Sequence, residues 1–211
     1  MELVLSTRNP DKLREIADGL ADLPLTLRSA ADVPDAPEVV EDGASYLENA
    51  TKKALALARL TGQWALADDT GLEVERLGGE PGLFSARYAG PTANYADNRR
   101  LLLERLAGRP RGERGARFLC TMVIARPDGG IYSAEGVVDG YITEQETGAQ
   151  GFGYDAVFWV PAMGKTFAEL TLAQKQAVSH RGKALKQIRA YLERALRTKS
   201  TAVAGQERSW W

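Results

Sequence analysis

The stretch Leu66–Val74, LADDTGLEV, constrains the fold more than any other, because it puts two adjacent carboxylates, Asp68 and Asp69, at the end of an apolar run. The residues from Trp64 to Asp68 are predicted to form a buried strand. Neighbouring acids repel one another, and Asp and Gly are poor strand formers, so local stability gives little reason to choose them. We therefore expect the strand to end there, with the acids serving either a ligand or a turn that Asp caps.

Successive side chains of a strand point to opposite faces of the sheet, so Asp68 and Asp69 are not expected to face one ligand together. One of them is predicted to face a site and the other to support the turn. A carboxylate at the end of a strand can hold Mg²⁺ and activate a water molecule. Glu41 is a second candidate metal ligand, and Asp42 and Glu48 compete for that role. Glu48 is better explained as part of a helix-capping box.

Strand-like and helix-like patterns alternate along the chain, which predicts an α/β fold. A short apolar run at the N-terminus is followed by a helix start, where Asn9 can cap and Pro10 fits the first turn. A second helix is predicted to open at Ser45 and to end at Gly62. Two later apolar segments flank the turn residues 127–130, PDGG, and predict a hairpin.

The chain has 211 residues, of which 44% are hydrophobic and 26% are charged, enough for one domain with a sizeable core. We expect that domain to span residues 1–197. Ser179 is predicted to cap the last helix. Residues 198–211 lose the helical rhythm and are expected to form a flexible C-terminal tail.

The charge balance and the cysteine content limit the partners and the compartment. The 27 basic and 28 acidic side chains give a net charge of -1, so we expect neither nucleic acid nor a membrane as partner. The single cysteine, Cys120, lies in an apolar segment and is expected to be buried. It excludes an internal disulfide, and no signal peptide or membrane span is evident. These features predict a cytoplasmic protein.

The segment Thr7–Lys12, TRNPDK, combines the end of a strand with the start of a helix. Backbone N–H groups and the positive end of the helix can hold phosphate there, and Lys12 adds a full charge. The segment is not a P-loop, because the GxxxxGK[ST] pattern is absent. A capped helix with a solvated lysine is the alternative interpretation. Lys53, on the following helix, can likewise reach phosphate or stay in solvent.

The segment Gly151–Phe158, GFGYDAVF, has the chemistry of a nucleobase site. Glycines allow a close approach, an aromatic ring can stack on a base, and Asp155 can accept hydrogen bonds from ring N–H groups. The alternative is that Phe152 and Tyr154 simply fill the core.

The only histidine, His180, precedes Arg181 at the start of the last predicted helix. No Cys or second His lies at metal-ligand spacing, which argues against zinc. Both side chains can donate hydrogen bonds to an oxygen acceptor, such as a purine 6-keto group or a phosphate, although a solvated pair is the alternative. The arginine-rich residues 99–117 have no interleaved aromatic platform, so we expect a solvated surface there rather than RNA contact.

Five separated motifs, in this order and spacing, resemble the inosine triphosphate pyrophosphatase (RdgB-like) family over about residues 2–195. The resemblance implies an elongated mixed β-sheet flanked by helices, two lobes with the active site in the cleft between them, and a homodimer. It also implies Mg²⁺-dependent conversion of dITP, ITP or XTP to the monophosphate and pyrophosphate. The motifs are STRNPDK, LADDTGLEV, PGLFSARYAG, GFGYDAVF and SHRGKAL.

The resemblance also implies roles for single residues. Asp69 matches the general base and metal-side carboxylate of the family, and Glu41 matches the other metal ligand, with Asp42 left as an alternative. Thr70 stands where serine is more usual and keeps the hydroxyl, whereas Ala156 stands where proline is common. The residues that match the substrate-binding set are Thr7, Arg8, Asn9, Pro10, Asp11, Lys12, Lys53, Thr70, Phe152, Gly153, Tyr154, Asp155, Lys175, His180 and Arg181.

Two other functions stay open at this point. One is a Maf-like nucleotide pyrophosphatase that acts on modified or pyrimidine triphosphates. The other is a nucleotide-binding module in which the acids hold a metal without catalysing hydrolysis. A panel of nucleoside triphosphates separates the first from the family activity, and release of pyrophosphate would exclude the second.

Overall fold

A computed structural model describes the backbone of residues 1–206 and the side chains of residues 1–198. Strands and helices alternate in this part of the chain, as the sequence predicts. The strands are β1 (Glu2–Leu5), β2 (Thr26–Ser29), β3 (Trp64–Val74), β4 (Pro81–Gly82), β5 (Gly115–Ala125), β6 (Ile131–Ile142), β7 (Phe158–Val160) and β8 (Lys165–Thr166). The helices are α1 (Pro10–Gly19), α2 (Tyr46–Thr61), α3 (Tyr95–Arg105), α4 (Leu172–Val178) and α5 (His180–Gln206).

The eight strands form one mixed sheet with the order β2-β1-β3-β5-β6-β7-β8, and β4 pairs with β3 at its side. Strand β1 runs parallel to β2 and β3, whereas the other pairings are antiparallel. The long hairpin of β5 and β6 confirms the hairpin that the sequence predicts around residues 127–130. The architecture confirms the predicted α/β class with a mixed sheet flanked by helices.

Helices cover both faces of the sheet, and the alternation of side chains along β3 decides which residues meet which helix. Leu66 packs with Ile16 of α1 and Ile188 of α5 on one face. Ala67, the next residue, packs with Leu57 of α2 on the other face. Because side chains alternate with a period of two, Asp68 continues the face of α1 and α5, and Asp69 continues the face of α2.

A third apolar cluster builds a smaller lobe at the other end of the sheet. There, Leu72 at the end of β3 packs with Leu102 of α3, Phe158 of β7 and Phe167. The larger lobe contains the two clusters that α1, α2 and α5 form against the sheet. The polar middle of β3 lies between the two sets of apolar residues.

The predicted helix starts are confirmed by their hydrogen bonds. The Asn9 side chain accepts from the backbone N–H of Asp11 at 2.9 Å and of Lys12 at 3.2 Å, which caps α1. Ser45 caps α2 by accepting from the N–H of Glu48 at 3.2 Å. Ser179 caps α5 in the same way, with 3.0 Å to the N–H of Gly182. These caps place the first turns of α1 and α5.

The predicted end of β3 at Asp68 is wrong, because the strand runs unbroken to Val74 and pairs with β5 over its whole polar part. Gly71 does not form a turn. A Cβ at this position would lie 2.2 Å from the hydroxyl of Tyr46 and 2.6 Å from the carbonyl oxygen of Gly82. The glycine is therefore needed for the close approach of α2 and β4.

Two further expectations need correction. Helix α5 continues to Gln206, beyond the loss of rhythm predicted near residue 198. Residues 207–211 lie outside the described residues, so the flexible tail stays a prediction.

The arginine-rich surface of residues 99–117 is not solvated throughout, because Arg114 is buried and its guanidinium donates to the carbonyl oxygens of Ile142, Leu106 and Thr143. Among the described helices, none is long and apolar enough to cross a membrane.

Candidate active site

A cavity of about 350 Å³ opens between the lobes, where the starts of α1 and α5 approach the middle of β3. Its volume is within the range of small-molecule sites. Of the residues that the sequence predicts for the site, Pro10 and Asp11 do not line the cavity, since Pro10 is the first residue of α1 and Asp11 pairs with Arg14 at 2.6 Å. The predicted residues that do line it are Thr7, Arg8, Asn9, Lys12, Glu41, Lys53, Asp69, Thr70, Phe152, Gly153, Tyr154, Asp155, Lys175, His180 and Arg181.

Asp68 is buried on the face of β3 that α1 and α5 cover, and cations surround it. Its Oδ2 lies 2.9 Å from Nζ of Lys12 and 2.9 Å from a guanidinium nitrogen of Arg181. Burial alone would raise the pKa of Asp68, but Lys12 and Arg181 outweigh it and hold the pKa well below 3.8. Asp68 is therefore ionised at neutral pH. It forms ion pairs with Lys12 and Arg181 and does not stabilise a turn.

Asp69 lies on the opposite face of β3 and has a different environment. Its Oδ2 accepts a hydrogen bond of 3.1 Å from the side-chain amide of Asn49, and its Oδ1 lies 3.6 Å from Nζ of Lys53. Burial raises the pKa of Asp69 above 3.8, although Lys53 and Asn49 oppose that shift. Two adjacent carboxylates thus have pKa values moved in opposite directions, which is typical of sites that use acids in separate roles.

The ammonium group of Lys53 joins the acids around the cavity. It donates to the carbonyl oxygen of Asp68 at 2.7 Å and lies 3.1 Å from Oε1 of Glu41. Asp42 points elsewhere, since it pairs with Lys52 at 2.9 Å and its side chain is 69% exposed. Of the two candidates for the second metal ligand, the structure brings Glu41 to the side of Asp69.

No group of three or more His, Cys, Asp or Glu side chains that could hold a metal ion occurs in the described part of the chain. Glu41 and Asp69 nevertheless offer carboxylate oxygens on either side of the Lys53 ammonium, a position that suits a cation. Mg²⁺ is usually bound through one or two carboxylates together with substrate phosphates rather than by a full protein cage. The donor set therefore fits Mg²⁺ carried between the chain and a phosphate group.

The GFGYD segment forms the aromatic end of the cavity. Asp155 accepts a hydrogen bond of 2.8 Å from the N–H of Phe152 and a charged one of 2.5 Å from Lys175, so one carboxylate oxygen is used within the segment itself. The Phe152 ring lies beneath the ammonium of Lys175, at 4.7 Å from its centroid. Tyr154 is buried and donates to the carbonyl oxygen of Ser85 at 2.8 Å, so it fills the core while one edge reaches the cavity.

His180 and Arg181 are buried at the start of α5 rather than solvated. The imidazole stacks on Phe118 with ring centroids 4.5 Å apart, and burial together with Arg181 lowers the pKa of His180 well below 6.5, so the ring is neutral. Among the described residues, Nδ1 of His180 and Nε of Arg181 are buried atoms without a hydrogen-bond partner. Both residues line the cavity.

The model of the Ham1 family matches residues 3–191. The chain belongs to the Ham1 family. A curated Ham1 relative from Geobacter sulfurreducens, named dITP/XTP pyrophosphatase, is 50% identical over 190 residues, which cover 90% of this chain and 96% of the relative. A relative from Thermus thermophilus with the same name is 51% identical over 194 residues, covering 92% of this chain and 91% of the relative.

A solved structure of a HAM1 protein from Coxiella burnetii has the same architecture. It superposes with a TM-score of 0.84 at 37% identity, and the match covers 92% of this chain and 99% of that one. These findings confirm the family resemblance and the α/β fold that the sequence predicts.

One buried residue of this Ham1-family site is absent from the sequence prediction. Glu15, on α1, lies 2.7 Å from Nζ of Lys175 through Oε1 and 2.7 Å from Arg181 through Oε2. With Asp68 and Asp155 it completes an alternating chain of charges that runs from Lys12 to the aromatic end of the cavity. One sequence feature indicates that Glu15 is buried. It lies one turn after Lys12 and beside the apolar Ile16, where a solvated acid is not expected.

Replacing Glu15 by Gln is expected to make the free energy of unfolding change less as the pH falls into the acid range. Burial alone would raise the pKa of Glu15, but Arg181 and Lys175 outweigh it and lower that pKa below 4.5. The stabilisation from the ionised Glu15 is therefore present above pH 4.5 and is lost as the pH falls through the lower pKa of the folded state. Urea unfolding of the wild type and of Glu15→Gln across the acid pH range measures the free energy of unfolding. Glu104→Gln, at an exposed acid, is the control. A difference in unfolding free energy between the wild type and Glu15→Gln that does not change with pH would contradict the expectation.

Proposed function

We propose that this chain hydrolyses the non-standard purine nucleoside triphosphates dITP, ITP and XTP to the monophosphate and pyrophosphate, and so removes them from the nucleotide pool. The observation that carries the proposal is the position of Asp69 in a cavity with lysines at one end and an aromatic segment at the other. The name dITP/XTP pyrophosphatase of relatives that are 50% and 51% identical supports the substrate class.

The phosphate end combines the first turn of α1 with two lysines. Lys12 and Lys53 line the cavity, and each ammonium already lies close to a carboxylate of β3. A triphosphate would place its negative oxygens against these ammonium groups and the positive end of α1. The lysines would then stabilise the charge that develops on the departing pyrophosphate.

Asp69 is suited to act as general base. Its raised pKa makes it a better proton acceptor than an ordinary exposed Asp, and Lys53 and Asn49 keep it oriented. In this role Asp69 accepts the proton of the water that attacks the α-phosphorus. Mg²⁺ held by Glu41 and Asp69 would supply neutralisation of the phosphate oxygens. Positioning and electrostatics provide most of the rate increase in reactions of this type.

The base end can separate a 6-keto purine from adenine. Arg181 lines the cavity, and its guanidinium offers only N–H donors, one of which has no partner in the protein. The guanidinium therefore suits a keto oxygen and opposes an amino group. Leaving one buried donor unsatisfied costs about 1–3 kcal/mol. A preference for ITP over ATP follows from this difference, because a site that hydrogen-bonds one substrate group rejects the analogue that lacks it.

Measurement of pyrophosphate release from ITP, dITP, XTP, ATP, dTTP and UTP tests the proposal. We expect hydrolysis of the three non-standard purines with a kcat/KM about tenfold or more above that for ATP, as one unsatisfied donor implies. Omission of Mg²⁺ or addition of a chelator is expected to stop the reaction. A preference for dTTP or UTP would support the Maf-like alternative. Binding of ITP without pyrophosphate release, with Mg²⁺ present, would support the nucleotide-binding module.

The assembly and the location of the protein stay predictions. The family resemblance implies a homodimer, which light scattering on a size-exclusion column would test. The cytoplasmic location rests on the sequence features alone, as does the expectation that neither nucleic acid nor membrane is a partner.

A further inference from the structure

Arg99, on α3, contacts both ends of residues 146–153, a segment that contains Phe152. One guanidinium nitrogen donates to the carbonyl oxygen of Gly153 at 2.8 Å, and Nε lies 2.9 Å from Oε1 of Glu146. We call residues 146–153 the base loop. The Arg99 side chain is 19% exposed, whereas that of its neighbour Arg100 is 67% exposed. Arg99 is therefore held in the structure rather than extended into solvent.

The contact of Arg99 with Gly153 lies at an unusual backbone conformation. Gly153 has a φ of 64°, a conformation that side chains other than glycine rarely adopt, and it follows Phe152 directly. Other hydrogen bonds of the base loop run to residues after it, from Thr147 N–H to Ala156 at 2.8 Å and from Gln150 N–H to Ala168 at 3.0 Å. Arg99 instead ties the loop to a helix of the smaller lobe.

Helix α3 also holds a second segment that contributes to the cavity wall. Asn98 is fully buried, and its side-chain oxygen accepts from the N–H of Ala89 at 2.8 Å while its amide donates to the carbonyl oxygen of Ala86 at 3.1 Å. Ala86 lines the cavity, as do Phe152 and Gly153 of the base loop. Two successive residues of α3 thus hold two segments that line the cavity.

We propose that Arg99 is a positioning residue for nucleobase binding, which holds the base loop through Glu146 and Gly153 so that Phe152 presents its ring to the base. The proposal rests on the proposed function and deepens it. Neither contact of Arg99 involves Lys12 or Lys53, so its effect is confined to the base end of the site. Loss of Arg99 weakens the recognition of the base and leaves the grip on the phosphates unchanged.

Kinetics of Arg99→Met with ITP and Mg²⁺ test this division, and Arg100→Met is the matched control on the same helix. We expect KM to rise about tenfold, the value of one charged hydrogen bond, while kcat stays within about twofold. The inhibition constant of inorganic tripolyphosphate, which has no base, is expected to stay the same. An unchanged KM, or an equal rise in Arg100→Met or in the tripolyphosphate constant, would overturn the proposal.

Hydrogen exchange of the base loop in the protein without nucleotide gives a second readout, which does not depend on the reaction. The N–H groups of Thr147 and Gln150 are expected to exchange faster in Arg99→Met and to keep their wild-type rates in Arg100→Met. If ITP proves not to be a substrate, the exchange rates still decide whether Arg99 holds the loop. Unchanged rates would refute the proposal even if ITP is hydrolysed.

Two conservative variants cover the case in which Arg99→Met does not fold. Glu146→Gln removes the ion pair at a side chain that is 42% exposed, and Arg99→Lys keeps a donor for the Gly153 carbonyl. We expect faster loop exchange in Glu146→Gln, and a KM in Arg99→Lys that lies between wild type and a tenfold increase. Wild-type behaviour of both variants would reject the role of Arg99.

Discussion

Asp69→Asn is expected to lower kcat/KM for ITP by about 10²- to 10⁴-fold, the usual contribution of a general base. Asparagine has nearly the same shape, and it can still meet the side chain of Asn49, but it cannot accept the proton of the attacking water. The substitution also removes one of the two carboxylates beside Lys53. Pyrophosphate release with saturating Mg²⁺ is the measurement.

The fold is not expected to suffer in this variant. Because burial raises the pKa of Asp69, the ionised carboxylate opposes folding at neutral pH, and the neutral amide removes that unfavourable contribution. The urea midpoint of Asp69→Asn is therefore expected to equal or exceed that of the wild type. Asp42→Asn, at an exposed acid one residue from Glu41, is the control and is expected to keep its activity. Wild-type turnover by Asp69→Asn would remove the base assignment.

Arg181→Ala is expected to destabilise the protein by about 3–5 kcal/mol, the usual effect of removing one partner of a buried ion pair. The guanidinium of Arg181 is 2.7 Å from Glu15 and 2.9 Å from Asp68, and both acids are buried. Without Arg181, these two buried charges lose a shared partner. Urea unfolding at neutral pH measures the change.

An exposed pair provides the control for this prediction. Arg14 lies 2.6 Å from Asp11 on the surface of α1, so Arg14→Ala is expected to change stability by about 1 kcal/mol or less. An equally small loss in Arg181→Ala would contradict the view that the buried charges depend on one another. The sequence also predicts that Arg181 reads the base, so the ITP to ATP ratio of this variant must be measured under conditions where it remains folded.

The sequence predicts best those features that depend on residues close together in the chain. The caps at Asn9, Ser45 and Ser179 follow from short side chains that bond to N–H groups two or three residues away. The alternation of Asp68 and Asp69 follows from the pleat of a strand. Nearly all of the site residues that the motif resemblance implies do line the cavity, although their roles in the reaction stay untested.

What the sequence could not predict depends on contacts between distant parts of the chain. The Asp-Asp-Thr-Gly stretch was interpreted as a turn, because nothing local shows that Gly71 makes room for Tyr46 and Gly82. The place of Glu15 in the site cannot be predicted from neighbouring residues, because its partners, Lys175 and Arg181, lie at the far end of the sequence. The same holds for Arg99, which the sequence predicts to be solvated and whose partners, Glu146 and Gly153, also lie far along the chain.

Gly136 shows how a residue outside the cavity sets its shape. It lies on β6 opposite Cys120, and a Cβ there would sit 2.0 Å from the carbonyl oxygen of His180 and 2.7 Å from the backbone nitrogen of Ala184. The first turn of α5 therefore rests directly on the strand. The absence of a side chain at this position thus sets how closely His180 and Arg181 approach the sheet. A larger residue at position 136 would displace both side chains, although Gly136 does not itself line the cavity.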